Sequence, residues 1–112
     1  MTQDLSKTPR HPLHHLSPKL LELTEGVLFG DIWERPTLSK RERSLITLAA
    51  LVSTYRPIQL DGHIERAIDN GVSREQIIEL MTHLAFYAGW PAAFSAVEVA
   101  EKTFKRLDQS QG

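Results

Sequence analysis

The sequence contains no cysteine, and that absence removes a whole class of chemistry. Disulfide exchange and thiol peroxidase reactions need a sulfur that ionises near neutral pH, and no other side chain supplies one. Surplus charge is missing too: 13 Lys and Arg against 14 Asp and Glu leave a formal net charge of −1. Nucleic acids and anionic membrane surfaces are held by clustered cations that release counterions, so neither is an expected partner. The basic run Lys40-Arg41-Glu42-Arg43 is interrupted by an acid and reads as a solvated first helical turn. No apolar run approaches the ~20 residues that cross a bilayer, and the first residues lack the apolar centre of a secretory signal. The expected location is the cytoplasm, whose reducing conditions suit a chain without disulfides.

What the sequence does have is helical patterning throughout. Its 112 residues suffice for one domain that buries roughly 65% of its unfolded surface. Residues 1–16 are rich in Pro, His, Ser and Thr with scattered leucines, which predicts a flexible tail. His11, His14 and His15 in that stretch invite a metal, but no carboxylate pair or thiol completes a site, so none is expected. The domain proper is expected over residues 17–108, with 109–112 as a short C-terminal tail.

Ser17 and Pro18 form a helix start, and the first helix is predicted to run towards Trp33, weakened at Gly26 and Gly30 and stopped by Arg35-Pro36. Ser39-Lys40-Arg41-Glu42 has the form of a capping box opening a central helix. From Leu45 to Tyr55 that helix is apolar nearly all round. A third helix after Arg56-Pro57 turns Leu60, Ile64, Ala67 and Ile68 inward and ends at Asp69-Asn70-Gly71, the glycine supplying a left-handed cap. Ser73-Arg74-Glu75-Gln76 repeats the capping box before a helix with Ile77, Met81, Leu84 and Ala88 on its stripe. After Gly89-Trp90-Pro91 a last helix is predicted over about Ala92 to Leu107, with Phe94, Val97, Ala100 and Phe104 facing in. No strand pattern occurs, and the expected fold is all-α, a compact bundle of five to six helices.

Several segments, in order, carry a resemblance. They are Gly30-Asp31-Ile32-Trp33-Glu34-Arg35-Pro36, Arg43 to Leu51, Arg56 before His63, Asp69-Asn70-Gly71-Val72 and Tyr87 to Ala93. With these, residues from about Gly30 to Ala100 resemble the carboxymuconolactone decarboxylase family, a branch of the alkyl hydroperoxidase D-like all-helical fold. The hydroperoxidase branch uses a glutamate, a Cys-x-x-Cys pair and a histidine; counted back from His63, the first three positions fall on Ser44, Arg56 and Gln59. Only the histidine is kept, so the resemblance implies the fold without the peroxidase mechanism.

The decarboxylase branch removes carbon dioxide from a carboxylated muconolactone without a cofactor, in aromatic catabolism, and the resemblance implies a small carboxylated substrate here. An anionic substrate calls for a cationic anchor, which Arg56 offers as a planar fork. His63 suits proton transfer near neutral pH, since an unperturbed imidazole titrates near ~6.5. These two are the candidate catalytic residues. Gln59 beside them, and His83, Tyr87 and Trp90 as a pocket wall, are the candidate substrate-binding residues. His63 also lies on the flank of an apolar stripe, where a structural histidine would sit, and Arg56 could instead cap the central helix. The apolar central helix and the aromatic second face of the Ile77 to Ala88 helix exceed what one small domain covers. A homo-oligomer is therefore expected, and the resemblance implies a trimer or hexamer. The competing reading is a non-enzymatic member of the family that binds a small acid or serves in assembly.

Overall fold

The computed structural model describes residues 12–111. The first 11 residues of the expected tail, His11 among them, and Gly112 lie outside the described residues. The described chain is helical, without a strand, and it divides after Lys40 into two compact units. No helix among the described residues is long and apolar enough to cross a membrane.

In the first unit the N–H groups of Leu16 and Ser17 both donate to the Leu13 carbonyl, forming a turn that leads into α1 (Pro18–Leu23). Ser17 occupies the N-cap position but its side chain makes no capping bond, so the helix start rests on the fixed φ of Pro18. The single helix expected as far as Trp33 is broken into three pieces. α1 gives way to a π-helical turn over Thr24–Phe29, and a 3₁₀ turn follows at Ile32–Glu34. Gly26 and Gly30 carry little helical preference, and the Thr24 hydroxyl bonds the Leu20 carbonyl at 2.8 Å where the hydrogen-bond step changes. Only Leu21 and Trp33 of this segment's apolar residues are buried. A Lys40–Glu34 ion pair of 2.8 Å closes the unit.

The second unit is the helical bundle of α2 (Lys40–Ser53), α3 (Pro57–Asp69), α4 (Arg74–Ala88) and α5 (Trp90–Gln111). Its core is built from one stripe per helix: Leu48 and Val52 of α2, Leu60, Ile64 and Ala67 of α3, Ile77 and Met81 of α4, and Ala96 and Ala100 of α5. Each fully buried Leu, Ile or Met side chain contributes about 1.5–3 kcal/mol.

The local starts and stops follow from sequence. Ser73 Oγ accepts from the Gln76 N–H at 3.0 Å while Gln76 Oε1 accepts from the Ser73 N–H at 3.1 Å, a complete capping box. α3 ends with Gly71 at φ +96°, and its N–H and that of Val72 bond the carbonyls of Ile68 and Ala67. This carries Val72 into the core.

The first half of α5 presents a different face from the expected one: Ala93 and Ala96 are buried, while Phe94 is 61% exposed and Val97 is exposed as well. Further along, Ala100 is buried and Phe104 packs partly buried against the core as expected, with Thr103 buried beside them. Small side chains let α5 approach α3 and α4 closely, which turns the larger apolar residues one position along outward. The helix is also longer than expected, beginning at Trp90 and ending at Gln111.

Candidate functional site

The end of α2 and the start of α3 are set by a residue that sequence reading passes over. Tyr55 adopts φ +55°, the left-handed region that costs a non-glycine residue about 1–2 kcal/mol. The reversal lets the backbone N–H of Arg56 donate to the Leu51 carbonyl at 2.9 Å. The capping of α2 that the Arg56 side chain could have supplied is thus done by its backbone. Arg56 becomes the N-cap residue of α3, its guanidinium exposed and without a side-chain partner among the described residues.

Arg56, Gln59 and His63 follow one another at helical spacings of three and four, so they share one face of α3. Arg56 and Gln59 are exposed and His63 is half-buried, about 10 Å along the axis from Arg56. Burial pushes the His63 imidazole below its ordinary pKa, and the charge of Arg66, one turn on, pushes it further in the same direction.

Two polar ties hold this helix in place. At its C-terminal end, buried Ser44 of α2 accepts a 3.0 Å hydrogen bond from the Asn70 amide. Ser44, at the position of the hydroperoxidase glutamate, therefore links α2 to α3 in this chain. On the opposite flank the fully buried Thr103 hydroxyl donates to Asp61 Oδ1 at 2.5 Å, and Arg106 bridges Asp61 and Glu65 at 3.2 and 3.0 Å. The Thr103 bond holds the Asp61 carboxyl below its usual range against the opposing effect of burial, with smaller help from Arg106. Nothing in the local sequence pattern announces this pair, whose members are 42 residues apart.

The expected wall of His83, Tyr87 and Trp90 divides in two. His83 and Tyr87 stack on each other, with ring centroids 5.1 Å apart and planes at 28°. Both are exposed, Tyr87 by 79%. Trp90 instead meets Phe86 edge-on at 5.1 Å. These two join Phe94 and Val97 around a groove of about 280 Å³ over Met81 and Ala85. The division arises at Gly89, whose φ of +103° ends α4 and restarts the chain as α5, with Trp90 on its first turn. The groove is apolar apart from Thr82, and neither His83 nor Tyr87 lines it. Among the described residues, no group of three or more His, Asp or Glu is placed to hold a metal.

Fold and site together define an all-α protein with a thiol-free, histidine-bearing helix. Residues 18–102 match the sequence model of the carboxymuconolactone decarboxylase family, and the chain belongs to that family. It is 39% identical over 79 residues to the 4-carboxymuconolactone decarboxylase of Acinetobacter baylyi, covering 70% of this chain and 59% of that one. It is 37% identical over 86 residues to the nitrosuccinic acid decarboxylase of Metarhizium robertsii, covering 77% and 60%. An uncharacterized 15.0 kDa protein of Paracoccus denitrificans is 25% identical over 83 residues, covering 72% and 62%. The chain thus spans less than two thirds of the length of each of these relatives.

Proposed function

We propose that this chain is a cofactor-free decarboxylase of a small carboxylated lactone or a related acid, with Arg56 as the anion anchor and His63 as the proton donor. The observation that carries the reading is the α3 face itself, where a guanidinium without a side-chain partner among the described residues and a half-buried imidazole of lowered proton affinity stand on one helix strip. Two relatives whose names specify decarboxylases of carboxylated small molecules support it.

Decarboxylation consumes a proton. The bond between the substrate carbon and its carboxylate breaks, and carbon dioxide leaves. The bonding electron pair passes into an adjacent electron-withdrawing group, and a proton is then delivered to the substrate. Arg56 binds a carboxylate bidentately and neutralises its charge. The incoming anion raises the proton affinity of His63, which takes up a proton on binding and returns it once carbon dioxide has gone. Gln59, between the two on the same face, offers an amide for orienting the bound acid. In this reading the exposed aromatic residues of α4 and α5 are covered in a homo-oligomer, a trimer or hexamer, with the cytoplasm as its place of action.

Incubating the purified protein separately with 4-carboxymuconolactone and nitrosuccinic acid, and following carbon dioxide release, tests the reading. Saturable release from either acid supports it. Saturable binding of both without release overturns it in favour of a small-acid-binding protein.

A further inference from the structure

Two helices of the bundle end in the same hydrogen-bonded reversal, but the residues at the turning point differ. At the end of α3 the N–H groups of Gly71 and Val72 donate to the carbonyls of Ile68 and Ala67 at 3.0 and 2.9 Å, with Gly71 at φ +96°. At the end of α2 the N–H groups of Tyr55 and Arg56 donate to the carbonyls of Val52 and Leu51 at 3.2 and 2.9 Å, with Tyr55 at φ +55°. Glycine ordinarily fills this position, because the left-handed conformation sets a Cβ against the following carbonyl. Tyr55 is the one non-glycine residue with a positive φ among the described residues. A bulky aromatic there is strained.

We infer that Tyr55 selects the acid held at Arg56: its ring covers the flat body of a cyclic carboxylate, so that the chain favours lactone acids over open-chain ones. The inference rests on the proposed role of Arg56 as the anion anchor.

Nothing inside the chain accounts for a tyrosine at this place. Its side chain is 60% exposed, and it makes no ring contact and no side-chain hydrogen bond among the described residues. In the α3 reversal the residue after the glycine, Val72, is buried and helps to hold the turn, whereas the residue after Tyr55 is the exposed Arg56. Backbone strain that the fold does not offset through contacts of its own marks a residue kept for a ligand. Position then identifies the ligand. Tyr55 directly precedes the proposed anchor, with the two Cα atoms about 3.8 Å apart, and the Arg56 guanidinium has no side-chain partner among the described residues. A carboxylate held there leaves the rest of a small acid beside the chain at Tyr55. A lactone acid presents a ring face that an aromatic side chain can cover, while an open-chain diacid such as nitrosuccinic acid offers two charged ends and little face between them.

The test compares the wild-type protein with Tyr55→Asn, Tyr55→Gly and Tyr55→Phe. Asparagine and glycine accept the left-handed conformation, so both should keep the reversal and raise the folding equilibrium constant by roughly 2- to 10-fold in urea titrations. Both should lower kcat/KM for carbon dioxide release from 4-carboxymuconolactone by about 2- to 10-fold, the effect of one aromatic contact, and leave that for nitrosuccinic acid within ~2-fold. Tyr55→Phe keeps the ring and should match the wild-type protein on both acids. For an acid that is not turned over, Kd from calorimetric titration takes the place of kcat/KM. Wild-type handling of the lactone acid by Tyr55→Asn overturns the inference, as does an equal loss for both acids. Failure of both Tyr55→Asn and Tyr55→Gly to raise stability also overturns it, since the ring would then be offsetting the strain within the fold. So does dissociation of an oligomer by Tyr55→Asn, which would mean that a second copy covers the ring. A wild-type protein with no turnover on either acid defeats the decarboxylase reading instead, and the Kd values still decide the inference: a preference for the lactone acid that Tyr55→Asn abolishes upholds it, and equal or absent binding overturns it.

Discussion

The position of α3 depends on the half-buried pair Thr103 and Asp61, and Thr103→Val removes the bond while keeping the shape of the side chain. Thr103 is fully buried and Asp61 is about half exposed, so the pair lies between the buried and surface limits. A hydrogen bond to a charged group is worth about 1.5–3 kcal/mol when shielded, and solvent at the carboxylate reduces this to about 1 kcal/mol. A double-mutant cycle of Thr103→Val with Asp61→Ala, measured by urea unfolding, isolates the pairwise contribution. The pH dependence has a fixed sign. Asp61 is held below its ordinary value of 3.8, so the contribution is complete above that value and disappears as pH falls through the lower folded value. The coupling should be about 1 kcal/mol at pH 7 and should vanish at acid pH, wherever enough folded protein remains to measure. A coupling under ~0.3 kcal/mol at pH 7, or one that persists after Asp61 is protonated, would refute the role assigned to this pair.

Other consequences are open to direct measurement. Ala100→Leu should cost about 1–3 kcal/mol by overpacking the contact of α5 with the core, whereas Phe94→Ala should cost under ~1 kcal/mol in dilute protein, and chemical denaturation of both compares them. Ser73→Ala removes half of a complete capping box and should lower stability by about 1 kcal/mol, read as a shift in the urea midpoint without a change in slope. Arg56→Lys should weaken substrate binding while leaving the melting temperature unchanged, because an ammonium cannot reproduce the bidentate fork and the α2 cap is made by the backbone. Light scattering at micromolar concentration should show an oligomer; a monodisperse monomer would mean that Phe86, Tyr87 and Phe94 stay exposed in solution.

The parts of the fold that local chemistry dictates were legible in the sequence. The capping box at Ser73 and the glycine at position 71 each need only a few adjacent residues to be recognised, and both are present with the expected bonds. The stripes of α3 and α4 follow from apolar periodicity, and Leu60, Ile64, Ile77 and Met81 are buried accordingly. On the first half of α5 two periodic sets lie one residue apart. Phe94 and Val97 offer more apolar area, but Ala93 and Ala96 permit closer helix packing, and the second effect wins; Ala100 and Phe104 turn inward as their periodicity dictates. The grouping of Arg56, Gln59 and His63 on one face follows directly from spacing. The separation of His83 and Tyr87 from Trp90 does not, because it depends on the backbone turn at Gly89. The left-handed Tyr55 and the Thr103–Asp61 pair are products of tertiary structure with no local sequence signal.

The central claim is that His63 delivers the proton in a decarboxylation, and the most direct test compares carbon dioxide release from 4-carboxymuconolactone by the wild-type protein and by His63→Gln. Glutamine keeps hydrogen-bonding capacity and approximate size while removing the titratable group. The account predicts turnover by the wild-type protein and a loss of roughly 10²- to 10⁴-fold in the variant, with the melting temperature unchanged. Wild-type turnover by His63→Gln, accompanied by a melting temperature several degrees lower, would contradict it and make His63 a structural histidine.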